Sequence, residues 1–539
     1  MAASKGVNKA ADGADVRGKI RHVFVLMMEN RSFDHVFGRY TGSDSPARPL
    51  DNLVHSGWIK RSLANAQGRA FPLGPAVASD QVSPDPPHEM EDTFYQLTNV
   101  RPDRSPAAKY SYQGHPVTNQ GFVKAYLETP EIAALPQVDP VPVIASWDPR
   151  DMGVLSALAQ EYALCDRWFS SLPGPTWANR LFVHAGHSGG LDYSPDTLSC
   201  TDRFLVEGYD LGTHIFDVLG ERAAIYSDGA IPLALCLKGI DLTGGSKSKI
   251  HRFHDFVGDL DAGALNGLEY VFIEPNYGKA LGTNVTNEYD GGNSQHAVAS
   301  FQSGEDLIAT VYNALRNSKL WENSLLIVTW DEHGGFFDHC PPPSAKALVP
   351  KPGPQNYSHH QFSFNTLGVR VPALFISPYV KRGFIDGAVR DHSVIPNFIA
   401  AWFTGKALPQ GRQPAKGGVT ALSAQSGLFD WSLDPAAPRL PTVSLNWTGQ
   451  AKLKAQAVAS WGRGVLDRLR PTGDLGLGEA SRTVKTRVVL TALAKGKSEV
   501  GQRSLRAATA QVGKPNNQQI RKLRTRDEHL DYLKKNTPN

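Results

Sequence analysis

VFVLMMENRS, residues 23–32, is a run of six apolar residues followed at once by an acid, an amide, a base and a hydroxyl. A strand with one wet face alternates apolar and polar residues, so a continuous apolar run suits a strand covered on both faces. Runs of the same kind recur at 223–226, 270–273, 325–329 and 371–377. Between them, apolar residues at helical spacing mark 155–163, 213–219, 307–315 and 393–402. This alternation predicts an α/β fold, a mainly parallel central sheet with helices on both faces.

Outward from that core the chain is less regular. Residues 1–18 read as a polar tail, and 19–405 as a single catalytic domain interrupted by two Pro- and Gly-rich stretches, 41–150 and 341–366. Loops of that length inside a domain usually serve as lids or binding walls, and 41–150 is expected to be such an insertion. Residues 406–539 read as a loop followed by a helical basic extension. From 451 to 539 there are 19 Lys and Arg against 7 Asp and Glu, an excess of +12, which leaves −8 on residues 1–450 of a chain of net charge +4. A basic tail beside an acidic body suits an anionic surface, and equally a solvated basic helix.

Composition removes several classes. With 41% hydrophobic, 20% charged and 9% aromatic residues, collagen-like, disordered and coiled-coil chains are excluded. No stretch approaches the roughly 20 apolar residues of a membrane span. The opening MAASKGVNKAADGADVRGK has no apolar core of the kind a secretory signal needs. Cys165, Cys200, Cys236 and Cys340 match no zinc or redox spacing, and whether Cys200 and Cys236 are bridged stays open.

In an open α/β sheet, ligands bind beyond the carboxyl ends of the strands. The first run ends in Glu29, Asn30, Arg31 and Ser32, and the fourth in Asp331, Glu332, His333, Gly334 and Gly335. Carboxylates and an amide oxygen are hard ligands, so one divalent cation held there is expected to be calcium, magnesium or manganese, with iron or zinc not excluded. The plainer alternatives are a helix cap for Asn30 or Ser32 and a pair of solvated acids at a turn for Asp331 and Glu332. Thr176 follows ProGlyPro at an apparent helix start, where backbone amides and the helix dipole favour phosphate, or where it is an ordinary cap.

These segments carry a family resemblance. ENRSFDHVFG (29–38), SLPGPTWANR (171–180), GNSQHA (292–297) and TWDEHGGFFDH (329–339) closely resemble the signature blocks of a phosphoesterase family. That family contains bacterial non-haemolytic phospholipases C, their plant relatives and acid phosphatases. RVPALFISPYVKRG (370–383) and DHSVI (391–395) resemble a further block. The resemblance spans about residues 20–400 and implies an alkaline-phosphatase-like core. It implies one metal held by Glu29, Asn30, Asp331, Glu332 and the hydroxyl of a nucleophilic Thr176. It further implies phosphate-binding or proton-donating histidines at His88, His296 and His333, with Asn179 and Arg180 binding substrate.

The expected activity is hydrolysis through a phosphothreonine intermediate, as a phospholipase C on phosphatidylcholine-type lipids. Acid phosphatase and an inactive membrane-binding homologue are the alternatives. Aromatics at Trp58, Tyr95, Tyr110, Tyr112 and Trp147 could wall a choline headgroup or simply pack. A phospholipid or small phosphate ester is the expected partner, with peripheral anionic membrane contact through the C-terminal region and no nucleic acid. The resemblance implies a secreted or periplasmic protein, whereas a native N-terminus without a signal implies a cytoplasmic one.

Overall fold

The 23–28 run lies at the centre of the sheet. A computed structural model describes residues 16–436 apart from 43–47, 106–107, 196–207, 230–231, 241–248, 279–291, 349–356 and 417–418. In it, β1 (His22–Met28), β2 (Ala163–Cys165), β3 (Ala223–Ser227), β4 (Lys249–Arg252), β5 (Tyr270–Glu274), β6 (Ser324–Trp330), β7 (Ala373–Ile376) and β8 (Ile385–Asp386) form one eight-stranded sheet. The spatial order is β8-β2-β7-β6-β1-β5-β3-β4. β1 runs parallel to both β6 and β5, and all seven of its residues are buried. Because successive side chains on a strand point to opposite faces, complete burial means that both faces are covered.

β7 alone among the eight runs antiparallel to its neighbours, β2 and β6. Its apolar run predicted a buried strand, and burial carries no information about direction. The expected helices appear as Gly153–Glu161, Ile215–Leu219, Phe301–Asn317 and Val394–Thr404. The first ends two residues before the predicted limit, because Ala163 already begins β2.

The stretch 41–150 is more regular than its composition predicted. It contains a hairpin, Ser62–Ala64 with Ala70–Pro72, and the helices Met90–Thr98 and Phe122–Glu128. Glu89 and Asp92 cap Met90–Thr98 reciprocally, and Phe94 and Leu97 anchor it in the core. Within 341–366, the buried Asp192 carboxylate accepts from Ser358 Oγ and from the backbone amides of His359, His360 and Phe362. The predicted basic extension beyond 436 and Cys200 lie outside the described residues, while Cys165 and Cys340 are buried. Among the described residues no helix is long and apolar enough to cross a membrane.

Candidate active site

Parallel register builds the site. Met28 pairs with Trp330, so β1 and β6 end level and release their polar residues at the same edge. Asn30 N donates to Asp331 Oδ1 at 3.0 Å, and Arg31 N donates to Glu332 O at 3.0 Å. Asn30 adopts a left-handed conformation, φ 57°, which asparagine tolerates better than most residues. Gly334 is packed so tightly on this turn that an added Cβ would lie 2.3 Å from Asn30 O, leaving glycine as the residue that fits. The cap of the helix Phe33–Phe37 is Ser32, whose Oγ accepts from His35 N at 3.1 Å. Asn30 therefore has its side chain available for the site.

The helix Thr176–Ala185 brings the hydroxyl. Thr176 is its first residue, and its Oγ1 donates to Asn30 Oδ1 at 3.3 Å. One turn on, Arg180 Nε donates to Asp331 Oδ2 at 2.9 Å and Nη2 to Met28 O at 2.8 Å. Residues four apart share a helix face, which is why one helix supplies both. Asn179 turns away into the preceding loop: its Oδ1 accepts from Ser171 N and Leu172 N, and its Nδ2 donates to Gly174 O and Pro175 O. Both ends of that amide are engaged in shaping the segment before Thr176.

Glu29, Asp331 and Glu332 are all buried, and two of their oxygens, Glu29 Oε2 and Glu332 Oε1, have no hydrogen-bond partner among the described residues. Burial and then the Asp331 charge raise the pKa of Glu29. Burial also raises that of Asp331, although Arg180 opposes it. Glu332 moves the other way, because His88 and His333 outweigh its desolvation. Orphaned carboxylate oxygens in a dry site are costly, and oxygen donors of this kind suit a hard divalent cation. Glu29, Asn30, Asp331, Glu332 and Thr176 thus have the chemistry to hold one.

Three histidines surround this group. His88 Nε2 is 3.3 Å from Asn30 Nδ2 and 4.0 Å from Glu332 Oε1, with Nδ1 bonded to Pro86 O at 2.7 Å. Burial works against its cation, but Glu332 and Asp85 outweigh that and push its pKa up to about 10. His296 Nε2 is 3.5 Å from Asp85 Oδ2, its ring 5.8 Å from that of His88, and burial depresses its pKa. His333 is held between Gln96 Oε1 at 2.7 Å and Glu332 Oε2 at 3.2 Å. The aromatics expected as a headgroup wall mostly pack: Trp147 stacks on Phe301, Tyr110 and Tyr112 lie against Phe94, Tyr95 donates to Glu128, and Trp58 lies under Arg61.

The sequence model of the Phosphoesterase family matches residues 20–405. The chain belongs to that family. It is 31% identical over 391 residues to Non-specific phospholipase C3 of Arabidopsis thaliana, which covers 70% of this chain and 66% of the plant protein. The chain thus spans just under two thirds of that relative's length. It is 27% identical over 426 residues to Phospholipase C B of Mycobacterium tuberculosis, covering 71% of this chain and 73% of the other. A solved alkaline phosphatase superfamily protein from Vibrio parahaemolyticus shares 13% identity over 58% of this chain and 81% of its own, with TM-score 0.28. The fold stands on the sheet topology itself.

This family member has a second acidic cluster, which no apolar run or strand end marks in the sequence. Donor atoms of Asp34, Asp338 and His339 lie within 4.8 Å of one another, close enough to hold a metal ion. Here a guanidinium supplies the positive charge: Arg370 Nε is 2.9 Å from Asp338 Oδ1 and Nη2 is 3.3 Å from Asp34 Oδ1. Asp34 and Asp338 stand inside the quoted motifs, so the motifs were the available signal. Arg370 opens the quoted block RVPALFISPYVKRG (370–383), but nothing in that block ties it to Asp34 or Asp338.

Proposed function

We propose that the chain is a phosphoric ester hydrolase in which Thr176 is the nucleophile, acting as a phospholipase C on phosphatidylcholine-type lipids. The observation that carries this reading is the Thr176 hydroxyl at a helix start, bonded to Asn30, whose backbone amide donates to Asp331 in a group of buried acids with two oxygens unpartnered among the described residues. A divalent cation bound by Glu29, Asn30, Asp331, Glu332 and Thr176 would supply charge that favours the threonine alkoxide and offsets charge on the phosphoryl oxygens.

The chain's own residues do the rest. Asn30 Oδ1 orients the Thr176 hydroxyl by accepting its proton in a hydrogen bond. The hydroxyl gives up its proton to water as its oxygen attacks phosphorus in line; the Thr176 O–P bond forms as the bond to the diacylglycerol oxygen breaks. Backbone amides at the start of Thr176–Ala185 face the phosphoryl oxygens. His296 or His88 gives a proton to the departing alkoxide. Water then attacks the phosphothreonine, returning the hydroxyl and releasing the phosphorylated headgroup. Arg180 keeps Asp331 charged and in place.

Turnover of p-nitrophenyl phosphorylcholine and of p-nitrophenyl phosphate by the purified protein tests the substrate. Preference for the diester is expected; preference for the monoester replaces the lipase reading with acid phosphatase, and inactivity on both leaves a binding protein. Acid quenching during turnover should trap phosphate on Thr176. Thr176→Ala should lower turnover by several orders of magnitude and stability by only about 1 kcal/mol, since a single side-chain hydrogen bond is lost; near-normal turnover would overturn the nucleophile.

A further inference from the structure

The turn that presents His296 has a shape its own sequence resists. Gln295 sits at φ 69°, the left-handed region, without being glycine; such a backbone persists only where its surroundings hold it. Here every polar group of the residue's side chain is held. Trp330 Nε1 donates to Gln295 Oε1 at 2.9 Å, and Gln295 Nε2 donates to Phe301 O at 2.9 Å. Its backbone carbonyl accepts from Arg31 Nε at 2.7 Å, while Arg31 Nη2 reaches His296 O at 3.3 Å and Glu29 N donates to Ser294 O at 2.8 Å. Arg31 is itself fixed between the rings of Phe301 and Phe336.

The anchors are not scattered. Glu29 is a proposed ligand, Arg31 directly follows Asn30, and Trp330 directly precedes Asp331. The segment 294–296 is therefore clamped to the ends of both strands that carry the carboxylates. Gly304 completes the fit from the neighbouring helix: a Cβ there would lie 2.1 Å from Gln295 Cγ.

We infer that Gln295 is a positioning residue, which locks the imidazole of His296 in register with Asn30 and Asp331 so that its ring N–H can reach the leaving oxygen. This rests on the proton-donor role proposed for His296. General acid catalysis matters for an alkoxide leaving group and little for p-nitrophenolate, a weak base. A residue with a merely structural role would not distinguish the two.

The test compares substrates that share a phosphoryl group and differ in leaving group. These are p-nitrophenyl phosphorylcholine against a short-chain phosphatidylcholine, or p-nitrophenyl phosphate against glycerol phosphate if the wild type takes monoesters. Gln295→Gly keeps the backbone conformation and removes the side-chain ties. It should lower kcat on the alkyl substrate by about ten- to a hundred-fold, the lower part of what a positioned acid contributes, with little change on the p-nitrophenyl ester and in KM. Gly304→Ala, outside the catalytic machinery, should give the same selective loss by crowding the Gln295 side chain. Combined with Gln295→Gly it should add nothing, because the side chain it strikes is gone. Equal losses on both leaving groups, or a Gly304→Ala enzyme with unaltered selectivity, would overturn the proposal. His296→Ala separates the two readings. If it loses both substrates equally, the proton-donor role falls and the positioning role with it; if it is selective and Gln295→Gly is not, positioning alone falls.

Discussion

The motifs at 29–38 and 329–339 each contribute to two buried acidic clusters that balance their charge differently. In the cluster of Asp34, Asp338 and His339, Arg370 lies over the Phe33 ring, engages both aspartates, and donates to the carbonyls of Asp51 and Asp166. Backbone amides complete it, with Asp34 N and Cys340 N donating to Asp338 and His339 N to Asp34. Among the described residues, the Glu29, Asp331 and Glu332 cluster has one guanidinium, Arg180, on one acid, and two oxygens without a hydrogen bond. A buried acid cluster whose cation is part of the chain is a structural joint; one with orphaned oxygens is where the function proposed above places an added cation.

The contrast can be broken most decisively at Glu29. Glu29→Gln should cut kcat/KM by about a thousand-fold or more, on the scale of losing transition-state charge stabilisation. In ion-free buffer it should leave the melting temperature unchanged or raised, since it removes one of three mutually repelling buried carboxylates. A variant that melts early yet retains activity would reverse the roles given to the two clusters. Arg370→Met should do the opposite, costing about 3–5 kcal/mol in urea unfolding because it strands two buried aspartates. Its ratio of bound metal, measured on refolded protein, should equal that of the wild type; near-native stability would show that the guanidinium is dispensable.

A divalent ion at a hundred times its Kd should stabilise the protein by about 2.7 kcal/mol, and chelation should abolish turnover. Glu29→Gln should lose that stabilisation and Asp338→Asn should keep it, read by thermal melts with and without ion. The reverse pattern would move the cation to the second cluster.

The smallest effect concerns His339. Burial opposes its charge, but Asp34 and then Asp51 outweigh burial and push its pKa up to about 9 from 6.5. The folded state thus binds the proton more tightly than the unfolded chain. The resulting stability is fully present below pH 6.5 and is lost as pH rises through 9. His339→Gln should therefore cost on the order of 2 kcal/mol at pH 6 and much less at pH 9.5. A difference independent of pH in urea titrations would remove the charge from the account.

Much of this molecule was readable along the chain. The apolar runs identified five strands of the central sheet, because a strand covered on both faces must be apolar throughout. The polar residues after two of those runs marked Glu29, Asn30, Asp331 and Glu332. His88 was harder, since it lies in a stretch whose prolines and glycines conceal the helix Met90–Thr98 that follows it. The short strands β2, β4 and β8 were missed because two to four residues carry too little pattern to read.

By itself, then, the sequence determined the local facts: which segments bury both faces, which polar groups follow them, and that Thr176 begins a helix. Tertiary structure alone decided the rest. It set β1 beside β6 in register, turned β7 against its neighbours, brought Arg370 between Asp34 and Asp338, and closed Trp330, Arg31 and Gly304 around Gln295. The physical reason is range. Burial and capping act over a few residues and leave a periodic trace, whereas a hydrogen bond between residues hundreds of positions apart leaves none until the chain has folded.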